Sequence, residues 1–248
     1  FVFDTGAAQF NFVSERFARE NGIRMIADSI PVAGIGRGWV GLGVADSLAV
    51  GGIVMRNPVF LISPPDQVTD TIEVISAVLG NAFMRKAERF TIDNRTRHIV
   101  FPAERTLHAD GTERMANMML NSFQPYVRIH ADGIPLLFHF DTGNVATTLY
   151  PPYYELFREQ VDSCGVEDTV RIGGFAGVAE NVCYRLPSVE FTLEGIPFTL
   201  RDIDVLPSGS AGATAGSEAG SLGTDFATAF DTLTVDYTSC TVRGENVP

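Results

Sequence analysis

Phe138-His139-Phe140-Asp141-Thr142-Gly143 restates, 137 residues on, the stretch Phe1-Val2-Phe3-Asp4-Thr5-Gly6. One Asp-Thr-Gly is an ordinary turn sequence, since Asp and Gly both favour turns, and a chain this long holds one by chance in roughly one case in thirty. The residues downstream of each copy decide between chance and repetition. At the same offset Ile35-Gly36 matches Ile172-Gly173. At an offset of 143, Gly52-Ile53 matches Gly195-Ile196, Leu79-Gly80-Asn81-Ala82-Phe83 matches Leu222-Gly223-Thr224-Asp225-Phe226, and Thr91-Ile92-Asp93 matches Thr234-Val235-Asp236. The second unit therefore carries a net six extra residues between Gly173 and Gly195. A match sustained over nearly the whole chain marks an internal duplication. Duplication makes the two aspartates a pair related by a two-fold, which is the arrangement of an acid–base couple.

Both units read alike in local structure. An apolar strand enters Asp-Thr-Gly and a short helix comes after it, expected over 14–20 with Ser14 as N-cap and over 152–159 after Pro151. A glycine-rich hairpin comes next, Gly34-Ile35-Gly36-Arg37-Gly38-Trp39-Val40-Gly41 or Ile172-Gly173-Gly174-Phe175-Ala176-Gly177. Alternating residues predict strands over 47–50, 58–62, 189–193 and 198–200. A buried strand over 74–79 leads to Gly80 and a helix from Asn81; its counterpart ends at Leu222-Gly223, with Thr224 as the cap. One strand closes each unit, over 90–101 and 233–242. The polar segment 102–121 reads as the connection, part of it helical over 113–120. The expectation is an all-β protein of two lobes, 1–101 and 122–248, joined by 102–121.

Three features occur in both halves: Asp-Thr-Gly, the glycine-rich flap, and an apolar-apolar-Gly segment before a short helix, here Val78-Leu79-Gly80 and Ser221-Leu222-Gly223. In these the chain resembles the retropepsin-like and pepsin-like aspartic peptidases, and looks like two retropepsin-type units in tandem, as in bacterial secreted members. The resemblance implies a two-lobed acid-protease fold and hydrolysis of peptide bonds by a water activated between Asp4 and Asp141. It implies support of that pair by Thr5, Gly6, Thr142 and Gly143. It also implies substrate contacts from the flap residues Ile35, Gly36, Arg37, Gly38, Trp39, Ile172, Gly173, Gly174 and Phe175. A peptide or protein substrate, no metal or organic cofactor, a monomer sufficient for activity, and a secreted, periplasmic or cell-surface location are implied as well. The chain departs from the pattern at several points. Ala7 follows the first motif as in retropepsins, but Asn144 matches neither group and is expected to alter the hydrogen bonding of Asp141. No Tyr precedes Tyr126, so Trp39 is the candidate to replace the flap tyrosine of pepsins. Ser221 stands where an apolar residue is expected. A strand and turn precede the second motif, over 125–135; an equivalent is expected ahead of Phe1, and its removal by self-cleavage is a reasonable hypothesis.

Electrostatics dictates the chemistry of such a pair. Two carboxyls in one site cannot easily both ionise, so their titrations split. The ionised one takes a proton from water and the protonated one donates to the carbonyl oxygen; the two-fold alone assigns neither role. The cleft is expected to hold an extended peptide between largely apolar pockets. The alternative is a catalytically silent or narrowly selective peptide-binding or processing protein that uses the same cleft.

The remaining residues exclude other classes. His98, His108, His130 and His139 show no metal-site spacing, and His139 reads as a partly buried structural residue. No Gly-x-Ser-x-Gly elbow is present. A net charge of −12 without a basic patch argues against nucleic-acid binding. No stretch is apolar enough to span a membrane. Cys164 and Cys183 can pair, or all three cysteines, with Cys240, stay thiols. The run 208–216 reads as a surface loop.

Overall fold

A computed structural model describes residues 1–33, 37–63, 76–102, 116–174, 177–210 and 216–246. Among the described residues the fold is all-β with five short helices. Its first sheet has six strands in the order Val2–Phe3, Ala77–Leu79, Asn11–Ser14, Val59–Ser63, Arg37–Val44 and Arg24–Ala33. Its second has eight: Met118–Asn121, Gln124–Ala131, Ile134–Phe140, Gly220–Leu222, Thr148–Leu149, Ile196–Val205, Gly177–Leu193 and Val166–Gly174. Ser47–Val50 and Ile53–Arg56 form a separate hairpin.

The duplication is visible in the strand pairing. Val2–Phe3 runs parallel to Ala77–Leu79, which runs antiparallel to Asn11–Ser14. Ile134–Phe140, Gly220–Leu222 and Thr148–Leu149 repeat this arrangement. Each aspartate is the first residue past the leading strand and is tied to the neighbouring one: Asp4 N–H donates to Leu79 O and Asp141 N–H to Leu222 O, both at 2.9 Å.

Side-chain alternation explains why these segments are strands. Along Gln124–Ala131 every second residue, Pro125, Val127, Ile129 and Ala131, is buried, as a one-sided sheet requires. Val127, Ile129 and Ala131 join the principal core with Phe138, Phe140, Leu193, Phe226 and Leu233. The first lobe has a smaller core of its own around Val13, Ile23, Phe60 and Ile62.

A four-stranded sheet joins the lobes, two strands from each: His98–Val100, Arg89–Asp93, Thr232–Asp236 and Thr241–Glu245. At its centre Thr91 pairs with Thr234, and their hydroxyls are 2.8 Å apart. Beside them Arg89 Nε donates to Asp236 Oδ2 at 2.8 Å. Phe90, Leu233 and Val235 belong to the principal core, so the seam is continuous with the second lobe.

The local expectations need several corrections. The helix Glu15–Glu20 is capped by Ser14, whose Oγ accepts from Phe17 N–H. Its counterpart is two helices, Pro151–Leu156 and Arg158–Cys164. Each closing strand is a hairpin, because a turn at 94–97 or 237–240 reverses the chain. Met118–Asn121 is neither helix nor linker: it pairs with Gln124–Ala131, and Asn117 Nδ2 donates to Val242 O. Residues 103–115 lie outside the described residues. At the last helix Gly223 is the N-cap and Thr224 the first helical residue, its hydroxyl donating to Val145 O. All three cysteines are thiols; Cys183 is buried and Cys164 exposed.

Candidate active site

The two Asp-Thr-Gly turns meet across the lobes. Thr5 N–H donates to Thr142 Oγ1 at 3.0 Å, and Thr142 N–H to Thr5 Oγ1 at 2.9 Å. Each hydroxyl then donates to the opposite strand: Thr5 Oγ1 to Phe140 O at 2.7 Å, Thr142 Oγ1 to Phe3 O at 2.6 Å. Four bonds thus fix one turn against the other. Thr5 is fully buried, so none of its groups has water as an alternative partner. Gln124, from the second lobe, adds a bond from Nε2 to Gly6 O.

This clamp presses each glycine against the other lobe's carboxyl. A Cβ at Gly6 would overlap the carboxyl carbon and both oxygens of Asp141. A Cβ at Gly143 would lie 2.8 Å from Asp4 Cγ. Only glycine permits this approach. Asp4 and Asp141 are hydrogen-bonded to one another, and each also accepts backbone bonds. Gly6 and Ala7 N–H donate to Asp4 Oδ1 at 2.7 and 3.0 Å. Gly143 N–H donates to Asp141 Oδ1 at 2.9 Å.

Burial, and then the neighbouring Asp141, push Asp4 from the ordinary 3.8 to about 7. Burial also raises Asp141, but the bond from Asp4 and several N–H donors favour its charged form. Burial thus raises both carboxyls and the pair shares one proton, with the donors around Asp141 favouring charge on its side. The sequence two-fold makes the two carboxyls equivalent; their surroundings do not.

The inequality has a visible source. Asn144 Nδ2 donates to Asp141 Oδ2 at 2.9 Å and to Ser221 Oγ at 3.3 Å. Ser221 also acts on Tyr150, whose phenol burial pushes up to about 12. Asn144 thus alters the hydrogen bonding of Asp141, as its identity led us to expect. Ser221, unexpected in a packing position, belongs to this polar chain. In the first lobe Ala7 stands in the place of Asn144 and Val78 in that of Ser221, so Asp4 has no such side-chain donor. Tyr150 and Gln124 gave no signal in the sequence.

The flap residues are only partly described. Arg24–Ala33 pairs with Arg37–Val44, and Val166–Gly174 with Gly177–Leu193, so each glycine stretch is part of a hairpin. Gly38 is buried, Trp39 is half exposed and Gly173 is exposed. Ile172, close to the turn of its hairpin, packs against the cluster of Tyr150, Cys183 and Leu206. Ile35, Gly36 and Phe175 lie outside the described residues, as do the side chain of Arg37 and the surroundings of Gly174. His139 is half buried, its Nε2 has no partner, and burial holds it neutral, with a pKa of about 4.

Among the described residues no group of three or more His, Cys, Asp or Glu is placed to hold a metal ion, and no helix is long and apolar enough to cross a membrane. No protein-family model matches the chain, and no curated protein matches it.

Proposed function

We propose that the chain is an aspartic endopeptidase that hydrolyses peptide bonds of an extended peptide or protein substrate. One observation carries this reading: two carboxyls from duplicated turns, hydrogen-bonded to each other, both raised by burial and held in unlike sets of donors. Asp141, ionised, takes a proton from water as the water oxygen bonds to the peptide carbonyl carbon. Asp4, protonated, gives its proton to the carbonyl oxygen. As the C–N bond of the resulting gem-diol breaks, Asp141 gives its new proton to the leaving nitrogen and Asp4 takes one back from a gem-diol hydroxyl, which becomes the carbonyl of the acid product. Both carboxyls return to their starting states.

Asp4→Asn and Asp141→Asn should each lower kcat/KM by at least about a hundredfold. Cleavage of a proteome-derived peptide library from pH 3 to pH 9 checks this. Cuts that survive in either variant would overturn the paired mechanism, and no cuts at any pH from folded protein would favour a binding protein. The alkaline limb should set in near pH 7, where Asp4 loses its proton, and then fall about tenfold per pH unit. The same group links to stability. The folded chain keeps this proton to about pH 7, whereas an unfolded aspartate releases it near 3.8. Stability therefore falls as pH rises across that interval, and Asp4→Asn flattens the fall.

Asn144→Ala should move the acid limb instead. Loss of the donor to Asp141 Oδ2 makes the ionised form less favourable, so the acid limb shifts upward, by roughly one pH unit for a lost charge-assisted bond. The alkaline limb should stay near pH 7. A pH–rate profile unchanged on its acid side would remove Asn144 from this role.

A further inference from the structure

Alternation along the strand into each aspartate puts the residue two before it on the same face as the carboxyl. That residue is Val2 in the first lobe and His139 in the second. Strand pairing extends both rows. Val2 lies beside Val78, and Val78 beside Phe12. His139 lies between Tyr126 and Ser221, and Ser221 beside Thr148. The wall beside Asp4 is apolar throughout, whereas the wall beside Asp141 is polar throughout.

Glu218 adds charge to the polar wall. It is 8% exposed, and its charge acts on His139, Tyr126 and Tyr150. Among the described residues it has no hydrogen bond and no ion pair. The backbone at Gly216 closes against its carboxyl, where an added Cβ would overlap Oε2. The neutral His139 supplies no counter-charge, and its own buried Nε2 is unpartnered. The residue is almost wholly covered, yet its carboxylate oxygens still reach solvent, so a cation of a bound ligand can pair with them.

Resting on the peptidase reading, we propose that the second lobe's wall is a specificity pocket for a cationic side chain, lysine or arginine, of the bound peptide. Glu218 is its counter-charge. The first lobe's wall, through Val2, Val78 and Phe12, takes an apolar side chain across the reacting bond. The cleft then has one apolar pocket and one charged pocket, in place of two apolar ones.

The test uses peptides with a reduced, uncleavable bond and a hydrophobic residue on one side of it. The other side carries lysine or its uncharged analogue norleucine, in both orientations. Fluorescence anisotropy measures binding to wild type and to Glu218→Gln, with thermal melting as the check on folding. The lysine peptide of one orientation should bind wild type roughly ten- to a hundredfold more tightly than its norleucine partner. Glu218→Gln should erase the difference. Equal binding to wild type, no binding of either peptide, or a preference that survives in folded Glu218→Gln overturns the pocket. If the variant does not fold, the wild-type comparison still decides. Cleavage of the matching natural-bond peptides tests the other reading separately. Cuts lost in Asp4→Asn but indifferent to lysine leave the peptidase standing without the pocket. Lysine-selective binding with no cuts at any pH keeps the pocket and removes the peptidase.

Discussion

Gly6→Ala should lower kcat/KM by at least about a hundredfold while leaving the chain folded. The added methyl would occupy the space of the Asp141 carboxyl, whose carbon and two oxygens it overlaps. Asp141 must then swing away or the two turns must part. A displacement of about 1 Å between reacting groups costs on the order of a hundredfold in rate. Gly143→Ala is the internal comparison, since its Cβ would lie 2.8 Å from Asp4 Cγ and needs a smaller adjustment. Its rate should fall by less. Steady-state kinetics on any peptide cut by wild type, alongside circular dichroism, decides the matter. A folded Gly6→Ala variant with wild-type rate would mean that the carboxyls do not act from this close arrangement.

Thr5→Val should be the most damaging isosteric change to stability at the site. It removes a hydroxyl that donates to Phe140 O and accepts from Thr142 N–H, at a position with no exposure. Both backbone groups would be left unpaired, at about 1–3 kcal/mol each. For a chain of this size a loss of that order lowers the melting temperature by roughly 5–15 °C. Thr5→Ser keeps the oxygen and should lose little. Thr142→Val breaks bonds from the same clamp, since each threonine N–H donates to the other's hydroxyl. The double variant should therefore lose less than the two single losses added. Strict additivity in thermal melts would show that the turns are not one unit.

The features that could be read beforehand differ in kind from those that could not. The all-β class, the Ser14 cap and the flap hairpins depend on alternation, turn chemistry and short spacing, which a sequence displays directly. Two local readings went astray for tertiary reasons. Residues 118–120 look helical among their polar neighbours, yet Met118–Asn121 adds an edge strand to the second sheet. Thr224 looks like a cap, yet its hydroxyl is drawn to Val145 O and Gly223 takes the cap position.

The candidate site divides in the same way. Repetition alone identified Asp4, Thr5, Gly6, Asp141, Thr142 and Gly143 as partners, because equal segments under equal local rules fold alike and a two-fold sets them face to face. Repetition could not tell the two aspartates apart. Their difference comes from Asn144, Ser221 and Tyr150, and that between the cleft walls from His139 and Glu218. These residues meet through strand pairing, as when Asn144 reaches Ser221 across 77 positions. By itself the sequence determined the duplication, the all-β class and the identity of the carboxyl pair. Only the tertiary structure decided how the surroundings of the two carboxyls differ and which wall is polar, because burial and cross-strand contact set those properties.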